Sequence, residues 1–206
     1  MRKWKAASLT AVAGAIALTG VTAPEGHASA AGASAGALSA EVVTTLDRMK
    51  ATHDLTPADR AVLRKHPEVA AQILDPASAT VSETVRPATL RGITCKTYNR
   101  YIAYSTLLGA KAFDWHHEIY ICPKGAKGVH RVSRRQYVAN RDVNFYLRAP
   151  QQNDEVGQDT QWYSSAYTGV VQNCVFHYGC IGERYPYSKF VVNGGTGHVD
   201  YYFRKG

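Results

Sequence analysis

Two runs of alternating polarity, Cys95 to Tyr104 and Phe113 to Cys122, flank the turn pair Leu108-Gly109. Closing a hairpin there opposes residues whose numbers add to 217, and Cys95 then faces Cys122. Cβ atoms of opposed residues stand roughly 4.5–5.5 Å apart, close to what a disulfide needs. The same register sorts polarity. One face pairs Tyr98 with Ile119, Ile102 with Trp115 and Tyr104 with Phe113, and Ile121 extends it; Lys96, Arg100 and His117 are its polar intrusions. The other face pairs Thr97 with Tyr120, Asn99 with Glu118, Tyr101 with His116 and Ala103 with Asp114. A slip of one residue would turn the apolar set to water, so the pattern specifies the pairing.

The compartment supports the bridge. Arg2, Lys3 and Lys5 precede an apolar run, Ala6 to Val21, and Ala28-Ser29-Ala30 offers a cleavage site, so residues 1–30 read as a secretory signal peptide. The 16-residue run is shorter than the roughly 20 residues of a spanning helix, so no membrane anchor is expected. An even cysteine count in an oxidising compartment favours two disulfides. With Cys95 paired to Cys122, Cys174 pairs with Cys180 by default, across a loop in which Gly179 eases the bend. A four-cysteine zinc site would usually show two short pairs, whereas the separations here are 27, 52 and 6.

Without residues 1–30 the chain carries 21 basic and 15 acidic residues, and the surplus lies from Arg86 onward, with 16 basic against 8 acidic. Such a field attracts anionic surfaces such as wall polymers, acidic glycans, lipids or nucleic acid, and it also serves solubility. Export weighs against nucleic acid.

All 13 tyrosines fall at or after Tyr98, so the chain changes character near residue 90. Residues 31–40, rich in Ala, Ser and Gly, read as a disordered leader. Residues 41–76 read as helical: Val42, Val43, Leu46 and Met49 recur at helical spacing, and Thr56-Pro57-Ala58-Asp59 is a helix start that Pro67 stops. A further short helix places Val69, Ile73 and Leu74 inward. Residues 77–91, with Pro87 and small or polar residues, read as a linker, which makes the helical leader separable. Residues 92–206 show turn signals at Leu108-Gly109, 123–128, 140–142, 153–157, 179–182 and 193–197, with strand-like runs such as 143–147 and 190–192 between them. The expectation is a mainly β fold, a small antiparallel sandwich or barrel with two disulfides, preceded by a short helical leader.

Chemistry concentrates in FDWHHEIYIC (Phe113 to Cys122). The hairpin splits it: Trp115 and His117 go to the apolar side, while Asp114, His116 and Glu118 share the other. Metal binding by that row is disfavoured, because i and i+2 side chains on a strand stand about 6.5 Å apart and H-E-x-x-H is absent. Acid–base chemistry by His116 and Glu118 lacks a nucleophile: there is no G-x-S-x-G, and paired cysteines leave no thiol. A recognition surface of Asn99, Tyr101, His116, Glu118 and Tyr120 suits glycan or protein binding. Against all three stands a plain solvated face whose pairs serve only the sheet. No motif calls for a metal or a cofactor.

Elsewhere, Lys127, His130, Arg131, Arg134, Arg135, Arg141 and Arg148 interleave with Tyr137 and Tyr146, but Arg134 and Arg135 point to opposite faces of any strand. Trp162, Tyr163, Tyr167, Tyr178, Tyr185 and Tyr187 read as core before groove. Gly194, Gly195 and Gly197 read as a hairpin turn, since no Lys-Ser/Thr follows to make a phosphate loop.

LTPADRAVLRKHPEVAAQILDP (Leu55 to Pro76), WHHEIYIC (Trp115 to Cys122) and CVFHYGC (Cys174 to Cys180) together resemble a group of small secreted actinobacterial proteins with a helical leader and a Tyr-rich four-cysteine β-domain. The resemblance implies secretion and cysteine pairing, and brings no catalytic residue. The functional expectation is a secreted extracellular binding protein whose partner is a protein or an acidic or glycan polymer. The alternatives are an adaptor, toxin or inhibitor subunit of a secreted assembly, and a cell-wall or glycan hydrolase using His116 and Glu118.

Overall fold

The computed structural model describes residues 37–206. The signal-peptide reading, and most of the 31–40 leader, lie outside the described residues. Ser39 and Ala40, assigned above to the leader, open a helix instead, because the Ser39 side chain accepts from the Val42 N–H and caps it.

Helix α1 (Ala40–Thr52) buries Val42, Leu46 and Met49 and ends at His53, whose left-handed backbone (φ 56°) directs its N–H to the Met49 carbonyl. Helix α2 (Pro57–Leu63) starts on a reciprocal Thr56–Asp59 capping box, as its sequence predicts. Buried Asp59 is also paired with Arg48. Helix α3 (Pro67–Ala70) is a single turn. Eleven strands follow: β1 (Leu74–Leu90), β2 (Ile93–Thr106), β3 (Lys111–Lys124), β4 (Gly128–Ala139), β5 (Phe145–Leu147), β6 (Gln152–Val156), β7 (Trp162–Thr168), β8 (Val171–Val175), β9 (Gly179–Arg184), β10 (Tyr187–Asn193) and β11 (Val199–Arg204). They form three antiparallel sheets, ordered β1-β2-β3-β4, β11-β10-β7-β6 and β5-β8-β9.

The β2–β3 register is the expected one, from Lys96 opposite Ile121 to Tyr104 opposite Phe113. Both disulfides form as expected, Cys95–Cys122 and Cys174–Cys180. Tyr98, Ile119, Ile121 and Val129 of the first sheet meet Tyr163, Phe190 and Val192 of the second in one apolar cluster, which makes the pair sandwich-like. A second cluster, around Ile102, Phe113 and Trp115, reaches Phe145 and Val171 of the third sheet.

Three local expectations are corrected. Residues 77–91 are not a linker: nearly all of them belong to β1, paired with β2 from Thr80–Ala103 to Leu90–Ile93. The β-branched residues Thr80, Val81, Thr84 and Val85 suit a strand, and Pro87 is tolerated because β1 is a sheet edge, where its missing N–H breaks no second ladder. Residues 153–157, read as a turn, largely form edge strand β6, and the turn itself sits at Gly157 (φ 81°) and Asp159 (φ 65°). Likewise residues 179–182 belong to β9, with the reversal at Phe176–Tyr178.

The helices are not separable either. Val42, Leu46, Leu63, Val69 and Ile73 cluster with Leu107 of the β2–β3 turn and with Val175 and Ile181 of β8 and β9. Five side chains at or below 1 % exposure contribute about 1.5–3 kcal/mol each on burial. Ala37–Gly206 is one compact unit.

Candidate functional site

The outer face of the first sheet is built by parity, with every second residue of β1 to β4 on the same side. Its rows run Ser82–Tyr101–His116–Tyr137, Thr84–Asn99–Glu118–Arg135 and Arg86–Thr97–Tyr120–Ser133. The five candidate residues Asn99, Tyr101, His116, Glu118 and Tyr120 therefore share one face, as expected. The face is not simply solvated, however. Asn99, His116 and Glu118 are buried and Tyr101 and Tyr120 half-buried, because β1 and β4 flank them on both sides.

His116 is sandwiched. Its ring stacks on Tyr101 (centroids 4.9 Å, 25°) and on Tyr137 (4.5 Å, 5°), making a three-ring ladder across β2, β3 and β4. His116 Nδ1 lies 3.1 Å from Asn99 Oδ1, so Nδ1 carries the proton and donates. Burial lowers the His116 pKa; Asp114 and Glu118 oppose the shift without cancelling it, and the ring is neutral at physiological pH.

Glu118 is engaged elsewhere. Its Oε1 accepts from Arg135 Nε at 2.9 Å and Nη2 at 2.8 Å, and Arg86 stands 3.6 Å from Oε2. Asp114 Oδ2 accepts from Lys111 Nζ at 2.8 Å and Asn140 Nδ2 at 2.6 Å. Asp114, His116 and Glu118, the row weighed for metal or acid–base chemistry, thus have three different sets of partners. Among the described residues no cluster of His, Cys, Asp or Glu is arranged to hold a metal. Asp114 Oδ1 and His116 Nε2 are enclosed without a partner among the described residues, leaving two acceptors side by side on one strand.

Three contributors to this face escaped the sequence reading: Arg86, Arg135 and Tyr137. The β3–β4 turn alone does not reveal them: closure at residues 125–127 would set Glu118 against Arg134 and His116 against Gln136, and the register shift between Tyr120 and Ile121 brings Arg135 and Tyr137 opposite instead. Arg86 was hidden by the linker reading.

His117 faces inward, fully buried, with Nε2 2.9 Å from Ser165 Oγ and Nδ1 3.2 Å from Ser188 Oγ. Its ring packs edge-on against Tyr167 and Phe190. Burial lowers its pKa to about 3, with Arg134 adding to the shift, so it is a neutral polar bridge between the two sheets.

The basic stretch from Lys127 to Arg148 does not form one patch. Arg131 pairs with Glu155 at 2.7 Å, Arg134 donates to the Asp154 carbonyl at 2.6 Å and to the Tyr167 hydroxyl at 3.1 Å, and Arg148 meets Gln172 at 2.6 Å. The tyrosine row divides as well: Tyr163 and Tyr167 are core, whereas Trp162 and Tyr185 are exposed. Gly194, Gly195 and Gly197 lie in the turn between β10 and β11, as read.

Fold and site together define a disulfide-stabilised, sandwich-like β-domain with a packed three-helix cap. Among the described residues no helix is long and apolar enough to cross a membrane, and two disulfides fit an oxidising, extracellular setting. Comparison with protein-family models, with curated proteins and with solved structures finds no match.

Proposed function

We propose that the protein is secreted and acts as an extracellular binding protein whose recognition surface is the outer face of the first sheet. The observation that carries this reading is the ladder Tyr101–His116–Tyr137 beside Arg135 and Arg86, two exposed guanidiniums that share the single carboxylate of Glu118. The rings stack on one another, so His116 has no free face for a sugar. The ladder instead presents ring edges and tyrosine hydroxyls next to a net positive charge. That combination favours an anionic, hydroxylated polymer such as an acidic glycan over a neutral saccharide.

A hydrolase using His116 and Glu118 is not favoured, since Arg135 occupies the carboxylate and His116 bonds Asn99 and, among the described residues, no hydroxyl. Retention on immobilised acidic and neutral polysaccharides is the direct test. Retention by the acidic polymer is expected to weaken about tenfold in Arg135→Ala and in Tyr137→Ala, because a charge-assisted hydrogen bond or a stacked ring contributes on the order of 1–3 kcal/mol. Equal retention by both polymers, or unchanged retention by both variants, would sink the reading. A stoichiometric protein recovered from culture supernatant would favour the adaptor alternative instead.

A further inference from the structure

The sheet ends in an apolar tip that the fold does not need. Strands β1 and β2 stay paired down to Leu90 opposite Ile93, and Arg91 (φ 49°) and Gly92 (φ 79°) close the turn in the left-handed conformation that a two-residue hairpin requires. The last β2–β3 ladder pair is Lys96–Ile121, next to the Cys95–Cys122 bridge, so past that bridge β2 is paired with β1 alone, while β3 continues to Lys124 beside it. Residues 89–94 are all exposed. Leu90 and Ile93, directly opposed, are 42 % and 47 % exposed. On this exposed turn the two aliphatic side chains forgo the burial that such residues usually gain.

Basic side chains border the tip. Arg91, Lys124 and His130 border the same patch with Leu90, Ile93 and Pro123, and no carboxylate lines it. Lys96 borders a neighbouring cleft of about 190 Å³, lined by Ile121, Val129 and Val192, which shares Cys122 and Pro123 with the patch and likewise holds no carboxylate. The nearby acid, Asp159, is held between Lys124 Nζ at 2.7 Å and His130 Nδ1 at 2.6 Å.

We propose that this hairpin end docks on an anionic lipid bilayer, with Leu90 and Ile93 entering the acyl boundary and Arg91, Lys96 and Lys124 meeting the phosphates. Apolar side chains tipped into the interface and ringed by cations are the chemistry of a peripheral membrane contact. A soluble acidic polymer would use the cations and have no use for the aliphatic pair.

The test is flotation of the purified protein lacking residues 1–30, which retains the compact unit Ala37–Gly206, with phosphatidylcholine vesicles with and without phosphatidylglycerol. Binding is expected only with phosphatidylglycerol, falling as salt rises. The double variant Leu90→Ser with Ile93→Ser, neutral and exposed, is expected to melt like the parent and to bind roughly tenfold more weakly. Arg91→Gln is expected to reduce binding while flattening its salt dependence. Unchanged vesicle binding by the double variant overturns the proposal, as does failure of the parent protein to float with phosphatidylglycerol. Capture by an acidic protein or polymer in the absence of vesicle binding also overturns it. Arg135→Ala, which tests the sheet face, is expected to leave flotation unchanged, so the two surfaces fail or stand separately.

Discussion

Adjacent histidines meet opposite fates on β3. His116 lies in a stack on the outer face, and His117 bridges Ser165 and Ser188, residues 48 and 71 positions away. Because burial holds the folded His117 pKa near about 3 against an ordinary value of 6.5, the unfolded chain binds the extra proton between those limits. Stability attributable to the neutral ring is thus complete above pH 6.5 and is lost as pH falls toward about 3, at up to about 1.4 kcal/mol per pH unit. His116, shifted in the same direction, adds to the trend. Denaturant midpoints measured from neutral pH down to about 4 should therefore fall, and should fall less steeply in His117→Gln; equal slopes would mean that His117 is not the group that titrates. A second residue acts by having no side chain. A Cβ on Gly169 would sit 2.3 Å from Trp115 Nε1, so Gly169→Ala is expected to cost about 1–3 kcal/mol by overpacking, read as a lower urea midpoint. Parity alone placed Trp115 and His117 inward, but nothing in the local sequence names Ser165, Ser188 or Gly169 as their neighbours.

At the scale of elements, one polar side chain joins the end of the helical segment and the start of β1 to the third sheet, beside the apolar cluster that packs them together. Buried Asn173 on β8 accepts from the Leu74 N–H at 3.0 Å through Oδ1 and donates from Nδ2 to the Gln72 carbonyl at 2.8 Å. Asn173→Ala strands both backbone groups, and a loss of about 2–4 kcal/mol in chemical denaturation is expected. Leu46→Ala removes an apolar anchor of the same cap and should cost about 2–5 kcal/mol. Both variants should unfold in one transition with the β-domain, whereas a separate early transition would restore the picture of an independent leader. Three signals led the sequence reading astray here: two prolines, a change of composition and low local hydrophobicity. Each is also what an edge strand displays, since its outer backbone groups need no partner and its exposed side chains can be polar.

For the whole molecule, the two cross-links act at different ranges. The bridge between Cys95 and Cys122 spans 27 positions and joins the β2–β3 hairpin, while that between Cys174 and Cys180 spans 6 and closes only the β8–β9 turn. On the chain-entropy account the longer ring contributes roughly 3 to 4 kcal/mol and the shorter about 2 kcal/mol. Replacing Cys95 and Cys122 together by alanine should therefore lower the thermal midpoint more than replacing Cys174 and Cys180. The reverse order would show that strain in the native bridge, rather than loop closure, dominates.

Alternation and turn proximity are local properties, written within a few tens of residues. For that reason the β2–β3 hairpin, its register, the Cys95–Cys122 pair, the capped start of α2 and the division of the Asp114–Glu118 run between two faces are all legible in the order of residues. What lies across a strand, over a sheet or behind a helix depends on segments far apart in the chain, which periodicity cannot match. That residues 77–90 form an edge strand and that the helices cap the β2–β3 turn follows from the packed fold. It alone brought Arg86, Arg135 and Tyr137 to the candidate face. The physical reason is burial. Each of these placements covers an apolar stripe or pairs a polar group with one supplied from another element, and the choice among such covers is made by the packed molecule as a whole.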